Sequence, residues 1–199
     1  TLVGCRIPGN KLAKKLITLF DLPIAAPSAN LSERTSVTNI MDIDPILEKK
    51  IFVLKDRQSS HGLESTVVRI DTNNEIEVLR YGSITVEELN KYAKVKIKKK
   101  SSISPGNLKK HYSTLKPIRM NAKRILKNEG LLNFGNNKLE SKIINLNLSN
   151  KKNLNEAAKN FYHYLHKLDQ SRCKKIAVVE IPDKGLGKTI NDRLRRAIK

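Results

Sequence analysis

The sequence predicts an α/β protein of two units joined by a basic strap. Three observations carry that prediction. Short runs rich in Ile, Leu and Val alternate with stretches whose apolar residues recur at helical spacing, the pattern of mixed helix and sheet layers. Between Lys94 and Pro117 the character shifts to KVKIKKKSSISPGNLKKHYSTLKP, which is basic, poor in apolar residues and long for a connection inside one compact domain. The length of 199 residues suits one or two domains.

The elements follow in order. Residues 1–8, opening TLVGCRIP, read as a buried strand closed by the turn pair Pro8-Gly9. A strand entered without a lead-in implies that an N-terminal part of the domain lies upstream. Asn10 is placed to cap a helix of about ten residues, with Leu12, Leu16 and Leu19 at helical spacing. Residues 22–27 read as a second short strand ending in a Pro-rich turn. Thr35 or Ser36 is expected to cap a helix toward Leu47. The runs 51–54, 65–70 and 75–81 read as strands, the last two joined by the polar turn 71–74. Thr85 with Glu88 three residues on is a capping box that opens a short helix to Tyr92. Beyond the strap, residues 130–135 and 143–148 read as strands. Residues 153–169 form an amphipathic helix with Leu154, Ala157, Ala158, Phe161, Leu165 and Leu168 on one face. KKIAVVEI (174–181) is a strand, followed by PDKGLGKT and a basic helix through Arg196.

Composition narrows the function classes. No apolar run approaches the roughly 20 residues of a membrane span, and the chain does not open like a signal peptide. Cys5 and Cys173 stand far apart without metal-ligand spacing, which fits a reducing cytoplasmic compartment. Lys and Arg total 39 against 19 Asp and Glu, a formal net charge of +20. That excess favours RNA, phosphorylated ligands or an anionic surface; a Lys/Asn/Ile-rich genome composition produces the same number without a partner.

Several short segments carry candidate chemistry. PIAAPSAN (23–30) offers Ser28 and Asn30, which donate and accept hydrogen bonds, between small residues that admit a ligand to the backbone. The same residues also satisfy ordinary turn geometry. GLESTVV (62–68) sets a carboxylate and two hydroxyls, Ser65 among them, at the mouth of a strand. VLRYGSIT (78–85) and VGCRIP (3–8) put Arg80 and Arg6 at strand ends, where open α/β sheets bind ligands. Arginine's planar fork suits a polyphosphate.

Taken in order, VGCRIP, PIAAPSANLS, GLESTVV and LRYGSIT resemble the second half of the YrdC-like domain. SPGNLKKHYSTLKP (104–117) is similar to the linker of the long, two-domain form of threonylcarbamoyl-AMP synthase, and the C-terminal segment resembles that form's extra domain. The resemblance implies the C-terminal half of a YrdC-like twisted α/β sheet domain over 1–93, a basic linker over 94–117 and a small Rossmann-like α/β domain over 118–199. It implies condensation of L-threonine, bicarbonate and ATP, with Mg2+, into threonylcarbamoyl-AMP and pyrophosphate. The product would pass to the tRNA threonylcarbamoyl-transferase complex, with direct tRNA or RNA contact possible and no membrane. Arg6, Ser28 and Ser65 would face threonine or its carbamate. Asn30, Thr38 and Arg80 would face ATP, and Tyr112 with His111 would close over the nucleotide. No covalent nucleophile and no protein metal site is expected. The family's Lys-Arg-Pro segment is not in this chain, so the chain by itself would be inactive. Its usual Arg-Pro-Gly here reads Arg80-Tyr81-Gly82.

Two other classes stay open: a YrdC-containing carbamoyltransferase, against which the linker and C-terminal unit argue, and a non-catalytic RNA-binding module. GLGKT (185–189) misses the full P-loop pattern because Pro182 stands where its first glycine belongs, and it reads as a strand-to-helix turn. His163 and His166, three apart on one helix without a nearby third ligand, read as solvated. KIKKK (96–100) reads as a solvated basic run or a phosphate attractant.

Overall fold

The computed structural model describes residues 3–31, 33–54, 59–97 and 112–198. His111 and Lys98–Lys100 lie outside the described residues.

Helix α1 (Lys11–Phe20) begins where expected, with the Asn10 side chain accepting from the Ala13 amide at 2.8 Å and Asp21 ending it in the left-handed conformation. Residues 3–8, 22–27 and 51–54 do not form strands. A strand exists only by pairing, and no neighbour pairs with these runs among the described residues. The helix expected from Thr35 or Ser36 to Leu47 is also replaced. A single 3-10 turn, Ile40–Asp42, and α2 (Pro45–Glu48) are capped separately by Asn39 and Asp44. Each cap side chain bonds the backbone two residues on, and Pro45 occupies a first-turn position, so the segment starts helices twice instead of continuing one.

A three-stranded sheet follows in the order β1-β2-β3. Strands β1 (Val67–Ile70) and β2 (Ile76–Arg80) pair antiparallel around the turn at 71–74, where the Asp71 carboxylate accepts from the amides of Asn73 and Glu75. Helix α3 (Val86–Leu89) has both halves of the Thr85–Glu88 capping box. Strand β3 (Val95–Ile97) then lies parallel to β2, so the first residues of the basic strap belong to this sheet. There Lys96 pairs with Glu75 and Asp71 rather than standing free in solvent.

The second unit is a four-stranded, all-parallel sheet in the order β4-β7-β5-β6, built from β4 (Ile118–Arg119), β5 (Glu129–Asn133), β6 (Asn145–Asn147) and β7 (Lys175–Val178). Helices α4 (Leu154–Gln170) and α5 (Leu186–Ala197) cover it. All five residues of β5 are buried, as expected of a parallel strand covered on both faces. From α4, Ala157, Ala158, Phe161, Tyr162, Leu165 and Leu168 enter one continuous core with Leu131, Leu132, Ile176, Val178, Ile190 and Leu194. The Glu129 carboxylate, buried within β5, is met by Arg119 at 2.6 and 2.9 Å and by the Leu126 amide, and these bonds hold it below the usual carboxylate range. Gly185, at φ +49, makes the turn into α5 and gives GLGKT its structural role.

The two units are bonded to each other at many points. Ser113 donates to Glu33 O at 2.8 Å, and Arg34 and Ser113 form a parallel bridge, so the end of the strap runs beside the loop that follows PSAN. Gly62, at φ +67, lies against α4 so closely that a Cβ there would sit 2.2 Å from Ala158 O.

Candidate functional site

Arg6, Ser65 and Arg80 come together. The loop carrying Arg6 reaches the start of β1, where Arg6 Nη1 donates to Ser65 Oγ at 3.2 Å. Arg80, the last residue of β2, folds its guanidinium back so that Nη2 donates to the Ser65 carbonyl at 2.8 Å. The cross-strand register places Arg80 opposite Val67, next to the bulge in β1, which explains why its side chain reaches back to residue 65. Arg6 is exposed and Ser65 and Arg80 are half-buried. Two guanidinium groups on one backbone segment make an anion-directed edge.

The other expected site residues are placed differently. Ser28 is exposed, in a loop without a described bond to Arg6, Ser65 or Arg80. The Asn30 amide donates to the carbonyls of Leu31 and Arg34 at 2.9 and 3.1 Å, closing its own turn, while its buried Oδ1 has no partner among the described residues. Thr38 Oγ1 is likewise buried and without a partner, while the Thr38 carbonyl accepts from Ser59 N. Asn30 also lines a cavity of about 220 Å³ shared with Arg34, Thr35, Asp42, His166 and Asp169, between the PSAN loop and the end of α4. Tyr112 is 1% exposed, in the left-handed conformation at φ +68, with its ring 4.6 Å from the Arg193 guanidinium carbon.

Behind Ser65 lies a buried network that the sequence reading did not single out. Glu64 Oε2 accepts from Arg193 Nε at 3.0 Å. Its Oε1 accepts from Tyr162 OH at 2.7 Å and from the Ser36 hydroxyl. Burial alone would raise the Glu64 pKa, but the Arg193 charge and the Ser36 and Tyr162 hydroxyls outweigh it and hold it below the ordinary value. Burial pushes the Tyr162 phenol well up, and the adjacent Glu64 charge adds to that. Arg193 is fully buried; it also donates to the Tyr81 carbonyl at 2.6 Å and to the Asp192 carboxylate. Helical spacing was the available signal, since Arg193 falls three residues after Ile190 on the apolar face of α5.

His163 and His166 are not solvated. His163 Nδ1 lies 2.9 Å from Asp42, and His166 Nε2 lies 3.1 Å from Thr35 Oγ1, so both face the first unit across the contact. Among the described residues no group of three or more His, Cys, Asp and Glu side chains converges to hold a metal ion, and no helix is long and apolar enough to cross a membrane.

Comparison with known proteins gives this geometry a context. Residues 84–198 match the family model described as threonylcarbamoyl-AMP synthase, C-terminal domain. Residues 1–82 match the Sua5, YciO and YrdC model, described as telomere recombination. The chain is 27% identical to the threonylcarbamoyl-AMP synthase of Pyrococcus abyssi and 29% identical to that of Bacillus subtilis, in each case over 98% of its own length. It spans 63% and 62% of those relatives' lengths. The Schizosaccharomyces pombe enzyme of the same name is 35% identical over 54% of this chain and 30% of its own. The crystal structure of P. abyssi Sua5 complexed with L-threonine superposes with a TM-score of 0.81 at 25% identity, covering 96% of this chain and 62% of that one. The chain belongs to the threonylcarbamoyl-AMP synthase family.

Proposed function

We propose that the protein carrying this chain is an L-threonylcarbamoyladenylate synthase and that the edge formed by Arg6, Ser65 and Arg80 is part of its substrate site. The observation that carries the reading is the convergence of Arg6 and Arg80 on Ser65, the hydroxyl and carbonyl of one residue held by two cations. The P. abyssi relative was crystallised with L-threonine. In this reaction the threonine amine condenses with bicarbonate, losing water, to give a carbamate. A carbamate oxygen then attacks the α-phosphorus of ATP and pyrophosphate leaves. No protein nucleophile is needed; the barrier falls by aligning two anions and neutralising the charge that builds between them. Arg6, Ser65 and the exposed Ser28 would hold the threonine carbamate, while Arg80, Asn30 and Thr38 would meet ATP. Asn30 Oδ1 and Thr38 Oγ1, buried and without a partner among the described residues, would be available for such contacts. Mg2+ would arrive on the ATP phosphates.

The strap over 94–117 would help exclude water from a hydrolysable carbamate. A cytoplasmic location and delivery of the product to the tRNA-modifying machinery follow from the same reading. The test is pyrophosphate release from ATP by the full-length protein. Release that requires both threonine and bicarbonate, and falls about a hundredfold or more in Arg80→Ala, supports it. Release indifferent to threonine, or unchanged in Arg80→Ala, overturns it.

A further inference from the structure

Helix α5 belongs to the second unit, yet two of its buried polar side chains, Arg193 and Thr189, reach into the first. Arg193 donates to Glu64 and to the Tyr81 carbonyl, and Thr189 Oγ1 donates to the Gly82 carbonyl at 3.0 Å. Those acceptors flank the substrate edge directly: Glu64 precedes Ser65, and Tyr81 and Gly82 follow Arg80. The space between the two segments is already minimal, since a Cβ on Gly82 would lie 2.2 Å from Thr66 N and 2.3 Å from the Ser65 carbonyl carbon. Ser83 N also donates to Glu64 O at 2.8 Å, tying the segments to each other. A fully buried guanidinium is a costly group whose hydrogen bonds must be met in a fixed geometry. Its planar fork therefore fixes where both segments sit.

We propose that Arg193 and Thr189 are positioning residues of the synthase site, holding the Ser65 and Arg80 segments at their working separation from the far domain without touching substrate. The inference rests on the synthase reading above. It assigns the C-terminal unit a part in substrate affinity, through two side chains, rather than a part in stability alone.

Steady-state kinetics of the full-length protein tests it. A purely structural helix changes the fraction of folded enzyme, which lowers apparent kcat and leaves KM where it was; a positioning helix changes KM. Arg193→Lys keeps the charge and loses the fork, and its KM for threonine and for ATP is expected to rise about tenfold or more. Thr189→Val removes one hydroxyl of similar volume and is expected to raise the same constants about threefold. Arg195→Ala, on the exposed face of α5, is the control and is expected to leave both unchanged. Should Arg193→Lys fail to fold, Thr189→Val alone decides, and threonine affinity by calorimetry gives the same reading without turnover. An active wild type whose Thr189→Val and Arg193→Lys variants keep their KM and their threonine affinity overturns the inference while the synthase reading stands. A wild type without threonine-dependent pyrophosphate release overturns both.

Discussion

The two ends of this chain hold their shape by different means. From Ile118 onward, strands β4–β7 and helices α4 and α5 bury a continuous apolar core. From residue 3 to 54, only Thr35 is buried among the described residues, while Ile7 is 88% exposed, Leu19 75% and Phe52 89%. The first region keeps its shape through helix caps, turns and bonds to the second unit, among them His163 to Asp42 and His166 to Thr35. Within these 199 residues the hydrophobic term thus sits almost entirely in the second unit. Arg6, Asn30 and Thr38, proposed here as substrate-binding residues, sit in the other.

That contrast predicts unequal responses to similar changes. Phe161→Ala, in the core of α4, should cost about 3–5 kcal/mol in urea unfolding, whereas Phe20→Ala at the end of α1 should stay within about 0.5 kcal/mol. Equal costs would break the comparison. Glu64→Gln removes the charge opposite buried Arg193 and should cost about 2–4 kcal/mol near neutral pH. Its pH dependence carries a definite sign. Because the folded state holds Glu64 below its ordinary value, the carboxylate stabilises the fold above its unfolded pKa of about 4.3 and loses that effect as pH falls through the lower folded value. Wild-type stability should therefore decline more steeply below about pH 4.3 than that of Glu64→Gln, as thermal unfolding across a pH series would show. Gly62→Ala drives a Cβ into the α4 backbone at a left-handed position and should cost about 1–3 kcal/mol. Thr85→Ala, which removes half of a capping box on a short exposed helix, should cost about 1 kcal/mol.

Local signals made parts of the fold legible. Asn10 and Thr85 announce their helices, the polar turn at 71–74 announces the β1–β2 hairpin, and the apolar stripe from Leu154 to Leu168 announces α4. Pairing was not legible. The apolar runs 3–8, 22–27 and 51–54 have strand composition, but composition does not supply a neighbour, and Val95–Ile97 found one in β2 despite a basic surrounding. The proposed site divided along the same line. Arg6, Ser65 and Arg80 are visible as charged and hydroxyl residues at the ends of apolar runs. Their support by Glu64, Tyr162 and Arg193 spans up to 129 positions of sequence, which no local pattern encodes.

The most direct measurement follows the carbon of labelled bicarbonate in the full-length protein supplied with ATP and threonine. The synthase reading predicts one labelled adenylate containing threonine, formed in step with pyrophosphate and only when all three substrates are present. Pyrophosphate released without label entering an adenylate, or label entering one without threonine, would contradict it.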